Sequence, residues 1–171
     1  MQHSPHRQRG ITIIEQVIGL AVTGVMLAMG LPNYSDYLQN RHIRTHAESI
    51  ADGLQLARVE AVRRNEAVDF RINGNDWTIV TAGGETVQSR PGDETPRARV
   101  ALGGGGSTLD VTFNGLGRII SGNAAATIDV QHVSGGCGAS AYRCLRVQMA
   151  TGGLVRMCDP LLAFGTPQAC A

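Results

Sequence analysis

The 171-residue chain predicts an α+β fold, with a long N-terminal helix packed on antiparallel β-sheet. The helix is expected to span a membrane in its first half and to be amphipathic in its second. Three observations predict this. An apolar run fills Ile11 to Leu31, and one apolar stripe at helical spacing runs from Ile43 to Ala61. From Glu66 onward the pattern changes to short β-rich runs separated by Gly, Asn and Asp.

The first run is 21 residues long. A helix of that length spans roughly 30 Å, the thickness of a bilayer core. Its only polar residues are Thr12, Glu15, Gln16 and Thr23. Ahead of it stand His3, His6, Arg7 and Arg9 with no acid, which holds the N-terminus in the cytoplasm and sends the rest across. No A-x-A site follows the run, so it does not read as an ordinary secretory signal. Glu15 is the anomaly. A lone carboxylate in hydrocarbon costs about 2.5–3.5 kcal/mol on insertion scales, so it calls for a partner or for snorkelling to the headgroups.

The second helical stretch follows Pro32. Ile43, Ala47, Ile50, Leu54, Ala57 and Ala61 alternate at spacings of four and three, making a core-facing stripe. Arg41, Arg44, Glu48, Asp52, Arg58 and Arg63 lie largely off it, and Glu60 precedes Arg64 in the favourable order. Small residues in the stripe let a sheet approach closely.

The predicted strand runs are EAVDFRI, DWTIVTA, RARVAL, LDVTFN, ATIDVQHV, RCLRVQM and GLVRM. Asn73–Gly74–Asn75 reads as the hairpin turn joining the first two. The helix stripe is expected to pack on one sheet face.

Every basic residue is arginine, and the formal net charge is +1. Near-neutrality argues against a globally basic nucleic-acid binder. The four cysteines, Cys137, Cys144, Cys158 and Cys170, contain no C-x-x-C pair, which argues against zinc. Outside the cytosol they read as two disulfides. Of three pairings, Cys137–Cys144 with Cys158–Cys170 is favoured because each closes a short loop, at about 2–3 kcal/mol apiece. The alternative is buried free thiols.

Nothing assembles into a catalytic site. Gly103 to Ser107 is GGGGS, which lacks the GK[ST] of a phosphate loop and reads as a loop tip. His42 and His46 stand four apart but without a zinc-protease glutamate, and two ligands make a weak site. His132 lies in a predicted strand, and Ser121, Ser134 and Ser140 lack a nucleophile-elbow sequence. No metal, no cofactor and no enzymatic activity are expected. Arg143, Arg146 and Arg156 fall in two adjacent predicted strands and are candidate DNA contacts. Odd spacing puts Arg143 and Arg146 on opposite faces, and pairing with Asp129, Asp159 or solvent is the alternative for all three.

A short basic leader, Gly10, and an apolar helix with Glu15 near its start resemble the prepilin signal of type IV pilins and type II secretion pseudopilins. LQLARVEAVRRNEAV (54–68), VTFNGLGRI (111–119) and GGLVRMCDP (152–160) resemble blocks of the GspH/FimT family. The resemblance runs from about Arg9 to Pro160. It implies that a prepilin peptidase cuts after Gly10 and that Ile11 becomes the N-methylated terminus, where the family most often has Phe. It also implies that Glu15 pairs with a neighbouring subunit's new amino terminus and that Pro32 kinks the helix. The expected organisation is a removed leader (1–10), a transmembrane or filament-core helix (11–31), an amphipathic helix (32–65) and a periplasmic β-rich domain (66–171). The GspH-like part covers about 45–160.

The family implies a single-pass inner-membrane protein with its C-terminal domain in the periplasm, which then enters a pilus or pseudopilus. The expected partners are other minor pilins and the major pilin, or pseudopilins, together with an inner-membrane assembly platform. The first reading is a minor pilin that helps initiate assembly or sits near the pilus tip. The cysteines and the CDP sequence resemble the pilus members. The alternatives are a type II secretion pseudopilin, a DNA-binding uptake pilin and a signal-anchored periplasmic domain without a filament role. DNA-uptake members carry G-R-x-R where this chain has G-L-V-R, with Leu154 in place of the first arginine.

Overall fold

The computed structural model describes residues 11–92, 97–103, 106–122, 127–134, 137 and 142–170, with the side chains of 29–33 excepted. Two units are distinguished, one up to Tyr37 and one from Leu38 onward. A single helix, α1 (Ile13–Arg64), runs through both.

In the first unit the helix is apolar on all sides. Ile13, Ile14, Val17, Ile18, Leu20, Val22, Val25, Met26 and Leu27 are all exposed. Among the described residues, no helical stretch is long and apolar enough to cross a membrane. Residues 13–28 extend about 24 Å at 1.5 Å per residue. Pro32 falls within α1, and its side chain lies outside the described residues.

In the second unit the stripe is buried. Ile43, Ala47, Leu54, Ala57 and Ala61 have no exposed surface, and Ile50 has almost none. The helix ends where Asn65 takes a left-handed φ of 53° and the Glu66 amide donates to the Ala61 carbonyl, closing the last turn.

The sheet region holds strands β1 (Val68–Asn73), β2 (Asp76–Thr81), β3 (Thr86–Arg90), β4 (Ala98–Leu102), β5 (Thr108–Phe113), β6 (Ile119–Ser121), β7 (Thr127–His132), β8 (Leu145–Met149) and β9 (Val155–Cys158). They form two antiparallel sheets, ordered β3-β2-β1-β5-β6 and β4-β7-β8-β9. The expectation of one sheet face under the helix is therefore corrected: one core contains the helix stripe and buried residues of both sheets. β3 and β6 were not foreseen. Both are outermost in their sheet, short, and almost wholly exposed or half-buried, so they lack the alternation that marks a half-buried strand.

Two contacts fix the helix and the sheets. A Cβ on Gly53 would stand 2.8 Å from Phe70 Cε2 and 3.3 Å from the Trp77 ring, so glycine lets α1 approach the first sheet. Four residues earlier, Ser49 Oγ accepts the Trp77 indole N–H at 3.0 Å, satisfying a buried donor. The turn between β1 and β2 joins the two sheets. Asn75 donates through Nδ2 to the Ala98 carbonyl at 2.9 Å and accepts the Val100 amide through Oδ1 at 3.1 Å. Its side chain thus caps the outer edge of β4 as a neighbouring strand would.

Candidate functional site

The candidate assembly site lies at the start of α1. Thr12 precedes the helix and its Oγ1 accepts the Glu15 amide at 3.4 Å, while its carbonyl accepts the Gln16 amide at 3.3 Å. This is the backbone half of a capping box, and the T-x-x-E spacing in the sequence was the signal for it. Glu15 occupies the first turn, where the helix dipole favours an acid. That dipole contributes about 0.3–1 kcal/mol at an exposed site. It does not offset the roughly 2.5–3.5 kcal/mol that a carboxylate costs in hydrocarbon. Capping explains where the acid stands on the helix, and the rest of that cost stays uncompensated by the helix itself wherever lipid or apolar helices surround it. Gly10 and the leader lie outside the described residues.

The three sequence blocks meet within the body. Arg58 Nε donates to the Gly117 carbonyl at 3.1 Å. A Cβ at Gly153 (φ +78°) would collide with that same carbonyl and stand 3.1 Å from Arg58 Nε. Asn114 Oδ1 accepts the amides of Leu116 and Arg118, which shapes the turn that offers the carbonyl. The arginine of the helix, the glycine of the β5–β6 turn and the glycine of the β8–β9 turn therefore form one junction. It is a structural joint between the helix and the two turns.

The C-terminal arginines do not form a concentrated patch. Arg143 lies outside any strand, because β8 begins at Leu145; this corrects its expected placement. Its backbone amide donates to Asn40 Oδ1. Arg146 is held by Asp129, with Nε–Oδ1 at 2.6 Å and Nη2–Oδ2 at 2.9 Å, and that bonding raises its pKa further above the ordinary arginine range. Arg156 is exposed and faces Gln148 across the sheet. Arg146 and Arg156 share a face, but the first is already neutralised by a carboxylate.

Disulfides join Cys137 to Cys144 and Cys158 to Cys170. His42 Nε2 lies 3.3 Å from Arg97 Nη1, and among the described residues no group of three His, Cys, Asp or Glu could hold a metal. His132 has partners the sequence did not suggest: its Nδ1 meets Ser134 Oγ at 2.7 Å and its ring stacks on Tyr142 with centroids 4.1 Å apart. This pairing closes the end of β7. Ser140 and Gly104–Gly105 lie outside the described residues.

Comparisons with known proteins agree with this fold. The type IV minor pilin FimU of Pseudomonas aeruginosa PAO1 superposes with a TM-score of 0.55 at 20% identity, covering 79% of this chain and 99% of that one. A fimbrial protein of Moraxella nonliquefaciens is 40% identical over 50 residues, which is 29% of this chain and 32% of the relative. A type IV major fimbrial protein FimA of Dichelobacter nodosus is 37% identical over 49 residues, 29% of this chain and 30% of that protein. The chain thus spans about a third of the length of these curated relatives. The family model described as type II transport protein GspH matches residues 46–153, most of the body. The chain therefore belongs to the GspH family, a pilin-like family of structural, non-enzymatic proteins.

Proposed function

We propose that the chain is a minor type IV pilin that helps initiate pilus assembly at the inner membrane or sits near the pilus tip. One observation carries the reading: a helix apolar on every side, with one acid in its first turn, on a pilin-type body. Residues 11–31 span the inner membrane once, with the body in the periplasm. A prepilin peptidase removes residues 1–10 and methylates Ile11, and Pro32 bends the helix. The anchored subunit then leaves the bilayer as other pilin helices cover its apolar surface, since that surface must be re-buried on extraction. Glu15 accepts the amino terminus of a neighbouring subunit, which supplies the missing cation and sets the axial register. Motor work comes from other proteins of the assembly platform.

The test is complementation of a deletion strain with wild-type chain or Glu15→Ala. Wild type should be recovered in the sheared-filament fraction, with Glu15→Ala retained in the membrane at normal abundance. Equal recovery of both in filaments would overturn the pairing. The pseudopilin alternative shares this physics and differs in partners. It would be recognised by loss of protein secretion, with piliation intact, in the deletion strain.

A further inference from the structure

Each sheet gives one face to the common core, so each leaves an outer face uncovered by it. Strand alternation and register assign the residues of those faces. In the first sheet Phe70 and Ile72 of β1 are buried in the core, which turns Asp69 and Arg71 outward. Arg71 stands opposite Asp110 of β5, and Asp76 of β2 alternates with buried Trp77, so both acids share that outer face. In the second sheet Val100, Val130 and Val147 are buried in the core, which turns Arg99, Asp129 and Arg146 outward. Arg156 of β9 faces Gln148, two residues along β8 from Arg146, and joins the same face.

The two outer faces carry opposite charge. Strands of the first sheet present three carboxylates and one guanidinium there, a net charge of −2. Arg71 takes up Asp69 at 2.8 Å, and Asp76 and Asp110 are left over, both exposed. Asp76 accepts the neutral Gly92 amide, which leaves its charge in place. Strands of the second sheet present three guanidinium groups and one carboxylate, a net charge of +2. Arg146 takes up Asp129 at 2.6 Å, and Arg99 and Arg156 are left over, both exposed. Among the described strand residues, each face thus holds one internal ion pair and a surplus of two charges, negative on one sheet and positive on the other. Arg118 stands beyond the strands, in the turn after β5.

Two complementary faces on one body fit a second copy of that body, with the basic sheet of one against the acidic sheet of the next. Like faces repel, which disfavours the two-fold arrangement in which both copies present the same patch. The resulting contact is heterologous, and such contacts propagate along an open line. Size sets its strength. A face of five strands is about 19 Å wide at about 4.8 Å per strand, and about 20 Å long. That is roughly 400 Å² a side, below the roughly 800 Å² per partner of a standard interface. The contact therefore orients copies already confined in one membrane and does not pair them in dilute solution.

We propose that the outer face of the β4-β7-β8-β9 sheet docks on the outer face of the β3-β2-β1-β5-β6 sheet of a second copy of this chain. Arg99 and Arg156 supply the positive surface, and Asp76 and Asp110 supply the negative one. The inference rests on the subunit reading proposed above, which brings copies side by side. Glu15→Ala tests that reading and leaves both faces unchanged, so the failure of one is distinguishable from the failure of the other.

The experiment uses the full chain in vesicles of phosphatidylcholine, which carry no net charge. The sequence has no lysine, so an amine-reactive donor or acceptor dye enters at the N-terminus. Wild-type donor and acceptor copies should show energy transfer that falls as salt rises to about 1 M, where the screening length is about 3 Å. Arg156→Glu brings the basic face to neutrality, and Asp110→Arg does the same to the acidic face. Either variant mixed with itself should drop to the high-salt level of transfer. Arg156→Glu mixed with Asp110→Arg should recover it, because the first keeps an acidic face and the second a basic one. Arg156→Gln and Asp110→Asn, with Trp77 fluorescence to confirm the fold, should repeat the pattern at smaller amplitude. No recovery in the mixture, or wild-type transfer indifferent to salt, would overturn the contact. Loss in one variant without loss in the other would overturn it as well, since one face would then act without its complement.

Discussion

Helix α1 carries apolar residues in both units and disposes of them in opposite ways. From Ile43 to Ala61 they form one stripe, fully covered by the chain's own sheets, with charged residues on the other faces. From Ile13 to Leu27 they lie on every side and are exposed. A stripe needs one surface to cover it, whereas an all-round apolar helix needs a surrounding medium. One helix thus belongs to two environments, a folded body that the chain supplies and an apolar surrounding that it does not.

The largest expected effect separates the two directly. Leu54→Ala should cost about 2–5 kcal/mol of body stability, read by urea unfolding with Trp77 fluorescence in detergent. The same kind of truncation at Ile18 should leave that transition unchanged, because Ile18 is exposed and lies outside the buried core. A shift for Ile18→Ala comparable to Leu54→Ala would break the comparison.

Glycines sharpen it at smaller magnitude. Gly53→Ala gains about 1 kcal/mol in helix propensity. The new Cβ would stand 2.8 Å from Phe70 Cε2, however, and overpacking of this sort costs about 1–3 kcal/mol. A net loss of stability is expected. Gly24→Ala, with nothing within 4 Å, should show none.

The body also needs its two sheets joined, a requirement the first unit lacks. Asn75→Ala should cost about 1–2 kcal/mol by the same unfolding measurement, since it orphans the Ala98 carbonyl and the Val100 amide. Asn75→Asp keeps the acceptor and should lose less.

The smallest effect concerns the charged faces that only the second stretch possesses. Glu60 is held below its ordinary value of 4.5, first by hydrogen bonding from Arg63 and then from Arg64. Arg64 in turn reaches Glu85 at 2.7 Å and ties the β2–β3 turn to the helix end. A carboxyl depressed in the folded state adds stability above its unfolded pKa and loses it as pH falls through the folded one. Wild type should therefore melt slightly above Glu60→Gln at neutral pH. The gap should close as pH drops from 4.5 through the lower folded value.

Much of this was legible in the sequence. The Ile43–Ala61 spacing names six residues of the buried face, because only one helical phase aligns them, while Ser49, Ala51 and Gly53 are buried beside that stripe. Val68, Phe70 and Ile72 alternate with polar residues, and so do Trp77 and Ile79, which marks β1 and β2. Division into two sheets was not legible, since strand order depends on long-range pairing that local alternation does not encode. β3 and β6 carry no such signal, for want of buried residues. Arg146's engagement with Asp129 was an open alternative, because a sequence does not show which strands are neighbours. At the helix start, Thr12 and Glu15 stand at capping-box spacing, a local signal present in the sequence beside the more conspicuous acid among apolar residues.

The proposed removal of residues 1–10 would place an amine four residues before Glu15. Intact mass spectrometry of the protein from its native membrane tests this most directly. A mass lacking residues 1–10 and carrying one added methyl group is predicted. A chain still beginning at Met1 would contradict it, since no amine would then exist at the depth of the acid.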